Sequence, residues 1–151
     1  MSSTLRAAFL LCVAVLLTSC APKRPVADEA VPPTWIKDVP VQPLEIAEYR
    51  AAEAEGEHAL FMRMTRFPDS IGYTVTEDPP ELIIQMQGPA VGEDIPEERI
   101  VISDSLIPAI RVSRQAGNLT IVVEVLSNEV PPYLVDEAAD WVTVRLRPAQ
   151  P

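Results

Sequence analysis

Past residue 20 the chain has no cysteine, and it has a single histidine, His58. Cys12 and Cys20 are the only two cysteines. If the N-terminal segment is removed at Cys20, no intrachain disulfide can form, so any core must hold by burial alone. One histidine and no nucleophilic thiol leave little for catalysis or a metal. A zinc site would have to combine His58 with carboxylates, and no ligand spacing supports that. Ser103 and Ser105 lie outside any G-x-S-x-G elbow, and no glycine-rich phosphate loop is present. Paired carboxylates arise by chance among 22 acidic residues, so they do not single out an acid and a base. The reading is a non-enzyme without a cofactor or metal. Basic charge is also scarce: 12 lysines and arginines face those 22 acids, for a formal net of −10. That balance argues against nucleic acid as a partner and against polybasic adhesion to anionic lipid.

What is present begins with an address. Met1 to Arg6 carries one positive charge and no acid, and the apolar run Ala7 to Leu17 follows. Such a run is too short for a bilayer core, which takes roughly 20 residues. Charged start, short apolar centre and small residues before a break are the order of a secretory signal. Leu17-Thr18-Ser19-Cys20 resembles the lipobox of bacterial lipoproteins. The resemblance implies residues 1–19 as a signal peptide, cleavage before Cys20, lipidation of the Cys20 thiol and acylation of the new amino group. Each buried methylene contributes about 0.8 kcal/mol, so two or more acyl chains hold firmly where one binds marginally. Ala21 after the cysteine points, by the same analogy, to the periplasmic face of an outer membrane.

Residues 20–55 read as the lipidated terminus and a linker. Pro22, Pro25, Pro32, Pro33, Pro40 and Pro43 fall in a stretch without apolar periodicity. Proline fixes its own φ and lacks an amide donor, so the stretch is expected to be extended. At about 3.1 Å per residue it reaches on the order of 70 Å from the membrane. Trp35 and Ile36 interrupt it as a docking point for the domain or a partner. Leu44 to Glu55, rich in Ala and Glu and ending at Gly56, is expected to form a short helix with Leu44 and Tyr49 inward.

From residue 56 to 148 the pattern has period two. Leu60, Met62 and Met64 alternate with Phe61, Arg63 and Thr65. Leu82, Ile84 and Met86 follow the Asp78-Pro79-Pro80 break, and Ala116-Gly117-Asn118 turns Ala109–Arg114 into Leu119–Leu126. Tyr133–Val135 and Trp141–Arg147 close the set. This predicts an all-β fold, a small antiparallel β-sandwich of about seven short strands. The halves look alike. Leu60, Tyr73 and Leu82 lead their segments as Leu119, Tyr133 and Val142 lead theirs, offset by 59 and then 60, so a duplicated three-strand unit is expected.

Residues 60–148 resemble the AMIN domain, a periplasmic β-sandwich module. Tyr73-Thr74-Val75, Pro79-Pro80 and Leu82 to Gly88 look like the family's tyrosine strand, break and apolar strand. Ile110 to Ser113, Gly117 to Val125 and Pro132-Tyr133 look like the hairpin opening its second half. The resemblance implies peptidoglycan binding, as in modules beside wall amidases and pilus secretins. Family arginine and aspartate positions are filled here by Met62, Thr120 and Gln85, with Glu124 the nearest match, so binding residues do not carry over.

Side-chain chemistry points to other candidate contacts. All basic residues of 56–148 are arginines, whose forked donors suit the carboxylates of stem peptides. Arg111, Arg114, Arg145 and Arg147 lie near strand ends and are expected to share an edge; pairing with neighbouring acids is the plainer role for any one of them. Trp141 shares a strand face with Thr143, Arg145 and Arg147, a setting for stacking on sugar. Tyr73 and Tyr133 read as structural. Two roles follow: a lipid-anchored peptidoglycan binder, or an adaptor for a secretin or division assembly acting through an exposed edge strand.

Overall fold

The computed structural model describes residues 40–148. The signal segment, Cys20, Trp35, Ile36 and most of the expected linker lie outside the described residues. None of the described residues is helical. Nine antiparallel strands form two sheets: β1 (Ile46–Ala54), β2 (Glu57–Met64), β3 (Ser70–Glu77), β4 (Pro80–Gln87), β5 (Ile95–Val101), β6 (Ala109–Gln115), β7 (Asn118–Glu124), β8 (Tyr133–Ala138) and β9 (Trp141–Leu146). The orders are β1-β2-β9-β8 and β3-β4-β7-β6-β5.

Alternation dictates the packing. Leu60, Met62 and Met64 of β2 and Val142, Val144 and Leu146 of β9 form the inner face of one sheet. Leu82, Ile84 and Met86 of β4 and Leu119, Ile121 and Val123 of β7 form that of the other. These rows interdigitate as one apolar core, as expected for strands half-buried with period two.

Nine strands form where about seven were expected, and the main correction is β1. The expected helix over 44–55 is a strand, paired along its length with β2 from Ile46↔Met64 to Ala54↔Glu57. Residues 46–54, assigned above to the linker, therefore belong to the sheet. Glu55 and Gly56 both take positive φ, 53° and 75°, the geometry of a tight hairpin turn. Gly56 ends no helix; it turns a hairpin. A ready ladder on β2 overrides the modest helix preference of Ala and Glu. Leu44 is buried as expected, whereas Tyr49 is largely exposed.

The halves are related by topology. Replacing β1, β2, β3 and β4 by β6, β7, β8 and β9 turns the first sheet order into the second read backwards, with β5 left as an extra edge beside β6. Each half places one hairpin in each sheet, so each sheet contains strands of both halves. The register corrects the offset of 59. His58↔Leu146 and Leu60↔Val144 match Leu119↔Met86 and Ile121↔Ile84, which makes the β2–β7 offset 61 when β4 and β9 differ by 60. Likewise Val75↔Leu82 matches Glu137↔Val142, so Val75 corresponds to Glu137 and Tyr73 to Val135, rather than Tyr73 to Tyr133. A slip of two residues preserves inside and outside, so alternation alone does not reveal it.

Candidate functional site

The outer face of the four-stranded sheet gathers three of the five expected contact residues. Trp141 and Arg145 point outward from β9, with Arg147 just beyond its end on the same row. At about 3.3 Å per residue they make a stripe roughly 20 Å long. Arg145 and Arg147, with Glu57, Pro132, Tyr133 and Leu134, line a cleft of about 280 Å³. Arg147 is 74% exposed, and its Nη2 donates to Glu57 Oε2 at 2.6 Å. Among the described residues, the carboxylate neighbours of Arg145 lie at 3.7 Å (Asp136) and 4.0 Å (Glu57), outside hydrogen-bonding distance. Its donors are thus available to an incoming acceptor, beside an apolar wall formed by Pro132, Tyr133 and Leu134.

At the other end of the stripe, Trp141 is half-buried under a cation that sequence reasoning missed. Arg50 of β1 sits with its guanidinium carbon 4.8 Å from the Phe61 ring centroid and 5.6 Å from that of Trp141. The register explains this: Arg50 lies opposite Phe61, and Arg63 of the same β2 row lies opposite Trp141. Reading residues 44–55 as a helix hid Arg50, because its place on this face exists only once β1 pairs with β2.

Arg111 and Arg114 do not join this edge. Both are on β6, in the other sheet, and both are engaged. Arg111 points outward, where Nη2 donates to Glu81 at 2.5 Å and Nη1 to Glu97 at 3.3 Å, with Glu124 3.5 Å away. Arg99 completes the group with donations to Glu124 at 2.9 and 2.6 Å. The Arg99 hydrogen bond outweighs burial and, with the charges of Arg99 and Arg111, holds the Glu124 carboxyl below its ordinary value. Arg114 lies on the core-facing row, its side chain only 3% exposed. It pairs with Glu45 and donates from Nε to the Glu93 carbonyl at 3.0 Å. Buried and clasped in this way, it ties β6 to the chain entering β1 and presents no donor to a ligand.

His58 occupies the inward row at the start of β2. Its Nδ1 lies 3.0 Å from Asp104 Oδ1 and 4.0 Å from Glu53 Oε2, and the three potential ligand atoms fall within 4.8 Å of one another. Asp104 Oδ1 also accepts the backbone N–H groups of Leu106 and Ile107, each at 2.9 Å. Burial pushes the Asp104 carboxyl up; the Ile107 amide, the His58 ring and the Leu106 amide outweigh it, and the group lies below its ordinary value. Asp104 is therefore saturated by its own loop and by the imidazole. The cluster latches the connection from β5 to β6 onto β2, a role the sequence did not signal because 46 residues separate the partners.

Scanned against protein-family models the chain matches none, and no curated protein matches it.

Proposed function

We propose that this chain is a non-catalytic lipoprotein of the outer membrane, anchored through Cys20, whose sandwich contacts peptidoglycan from the periplasmic face. The observation that carries the reading is the cleft holding Arg145 and Arg147. It offers one guanidinium without hydrogen-bonded acid, a second that is mostly exposed, and an apolar wall beside them. Forked donors of this kind bind stem-peptide carboxylates, and the wall suits the faces of sugar or alanine. The lipobox-like segment and the AMIN-like pattern support the same setting. A second reading, an adaptor for a secretin or division assembly, draws support from Arg111 and Arg114, whose pairing removes two cations from any anionic ligand.

The test is sedimentation of the full-length protein, in detergent, with purified sacculi. Wild type is expected to pellet with them, Arg145→Ala with Arg147→Ala to remain in solution, and Arg111→Ala to behave as wild type. Wild type that stays in the supernatant overturns the wall reading. An intact Met1 or an unmodified Cys20 in the mass spectrum of the envelope-extracted protein overturns the anchor.

A further inference from the structure

Each sheet has two edges, and three of the four are defended. β1 carries Glu48, Arg50 and Glu53. β5 carries Pro96, Glu97, Glu98 and Arg99, and its register is irregular between Ile95 and Glu98. β8 carries Asp136 and an inward-pointing acid, Glu137, opposite the core residue Val142. Charge, proline, bulges and inward charges are the devices by which edge strands avoid unwanted pairing. β3 has none of them from Ser70 to Thr76, in the sequence Ser-Ile-Gly-Tyr-Thr-Val-Thr. At the position corresponding to Glu137 it has Val75.

The β3 edge is also apolar where it is open. Tyr73 and Val75 lie opposite the core residues Ile84 and Leu82, so they belong to the core-facing row, yet they are 54% and 36% exposed. Tyr133, on the core-facing row of β8, is 37% exposed and meets Tyr73 edge to face at 6.0 Å between centroids. The two tyrosines span the gap between the sheets at this side without covering Val75. A backbone edge unpaired among the described residues, an apolar inner row and an aromatic wall are what an added strand requires.

We propose that β3 receives an extended segment of another polypeptide, which continues the five-stranded sheet and lays alternate apolar side chains on Tyr73, Val75 and Tyr133. Charge selects the occupant. Glu77, Asp78 and Glu137 are exposed around this seam, and none has an ion-pair partner among the described residues. A segment flanked by lysine or arginine satisfies them. A second copy of this chain brings the same acids and, over residues 40–148, eight arginines against 19 acids, and is repelled. This docking extends the opposite sheet and does not use Arg145 or Arg147, although Tyr133 borders both surfaces.

The test uses the full-length protein in detergent and a synthetic probe peptide of alternating Val and Thr with two lysines at each end. Binding is read by fluorescence anisotropy, and its location by amide hydrogen exchange. The expected result is saturable binding that slows exchange across residues 70–76 by about tenfold or more and leaves β1 and β5 unchanged. Val75→Glu, which copies the defence of β8, and Tyr73→Ala are each expected to weaken binding by about tenfold or more. The same peptide flanked by glutamates is expected not to bind. Equal binding of both peptides, protection elsewhere, or no binding overturns the proposal. So does protection of β3 that grows with protein concentration before any peptide is added, since the occupant would then be a second copy.

Discussion

The two flanks of the sandwich are built from the same repeated hairpins and end differently. On one flank, Leu44 is fully buried, Glu45 clasps Arg114, and the connection from β4 to β5 closes over them through the Glu93 carbonyl. On the other, two tyrosines meet across the gap and the inner rows of β3 and β8 reach solvent. Because the topology of the halves is equivalent, the contrast does not come from the strand plan. It comes from material outside it: the residues entering β1, the extra strand β5, and the loop pinned by Asp104. One flank is sealed, and the other is open to solvent.

That contrast fails if the two flanks respond alike to substitution. The largest effect is expected at Gly117, which holds the β6–β7 turn against the connection that seals the flank. Its φ is +81°, and a Cβ there would lie 2.5 Å from the Pro89 carbonyl oxygen and 2.8 Å from the Ala90 nitrogen. Gly117→Ala combines a left-handed backbone with a backbone collision, so a loss of more than about 2 kcal/mol is expected from the urea midpoint. Next comes Arg114→Ala. It leaves Glu45 and the Glu93 carbonyl without their donor, at a cost of about 2–3 kcal/mol, reduced from a fully buried pair because Glu45 is 38% exposed. Arg114→Met with Glu45→Gln is expected to recover part of that loss, because the buried site then holds no unpaired charge.

The Asp104 latch adds a pH dependence to the sealed flank. Its carboxyl titrates below the ordinary value when folded, so the stability it contributes is fully present above the unfolded value of about 3.9. That contribution is lost as pH falls through the lower, folded value. Asp104→Asn is expected to cost about 1–2 kcal/mol at neutral pH and to flatten the acid limb of a stability–pH curve. If the variant keeps the wild-type acid limb, the stabilising carboxylate is elsewhere; Glu124, also lowered by its arginines, is the next to change.

The sequence made the sandwich legible because the core rows alternate cleanly, and every strand connection but the Ala139-Asp140 turn from β8 to β9 contains proline, glycine or asparagine. It made β1 illegible for a physical reason. Ala51, Ala52, Glu53 and Ala54 favour helix locally, and only the partner strand decides otherwise. The duplication was visible as a pattern, but its register was not, since shifts of two residues leave the faces unchanged. For the cleft, Trp141, Arg145 and Arg147 were placed together by simple parity along β9. Arg111 and Arg114 take the plainer role of pairing with acids, but which acids was not legible, because Glu81, Glu97 and Glu45 lie 14 to 69 residues away. Parity does place Arg114 on the core-facing row with Ile110 and Val112; what it does not show is the acid that pairs with it, Glu45.

The smallest effects are expected on the open flank, and they separate contact from support. Tyr73→Ala and Tyr133→Ala each remove half-exposed rings whose loss leaves no closed cavity, so each is expected to cost about 1 kcal/mol or less. An edge-to-face pair still couples its members, and a double-mutant cycle is expected to return about 0.5 kcal/mol, the low end for a half-exposed pair. Arg147→Ala, at the mostly exposed end of the cleft, is expected to change stability by less than about 0.5 kcal/mol while changing sacculus binding. A tyrosine cycle near zero would mean that the rings only share space, and the seam would then lack the rigid wall an added strand needs. A loss at Tyr73 as large as at Arg114 would erase the distinction between the flanks, because the open side would then be carrying the fold.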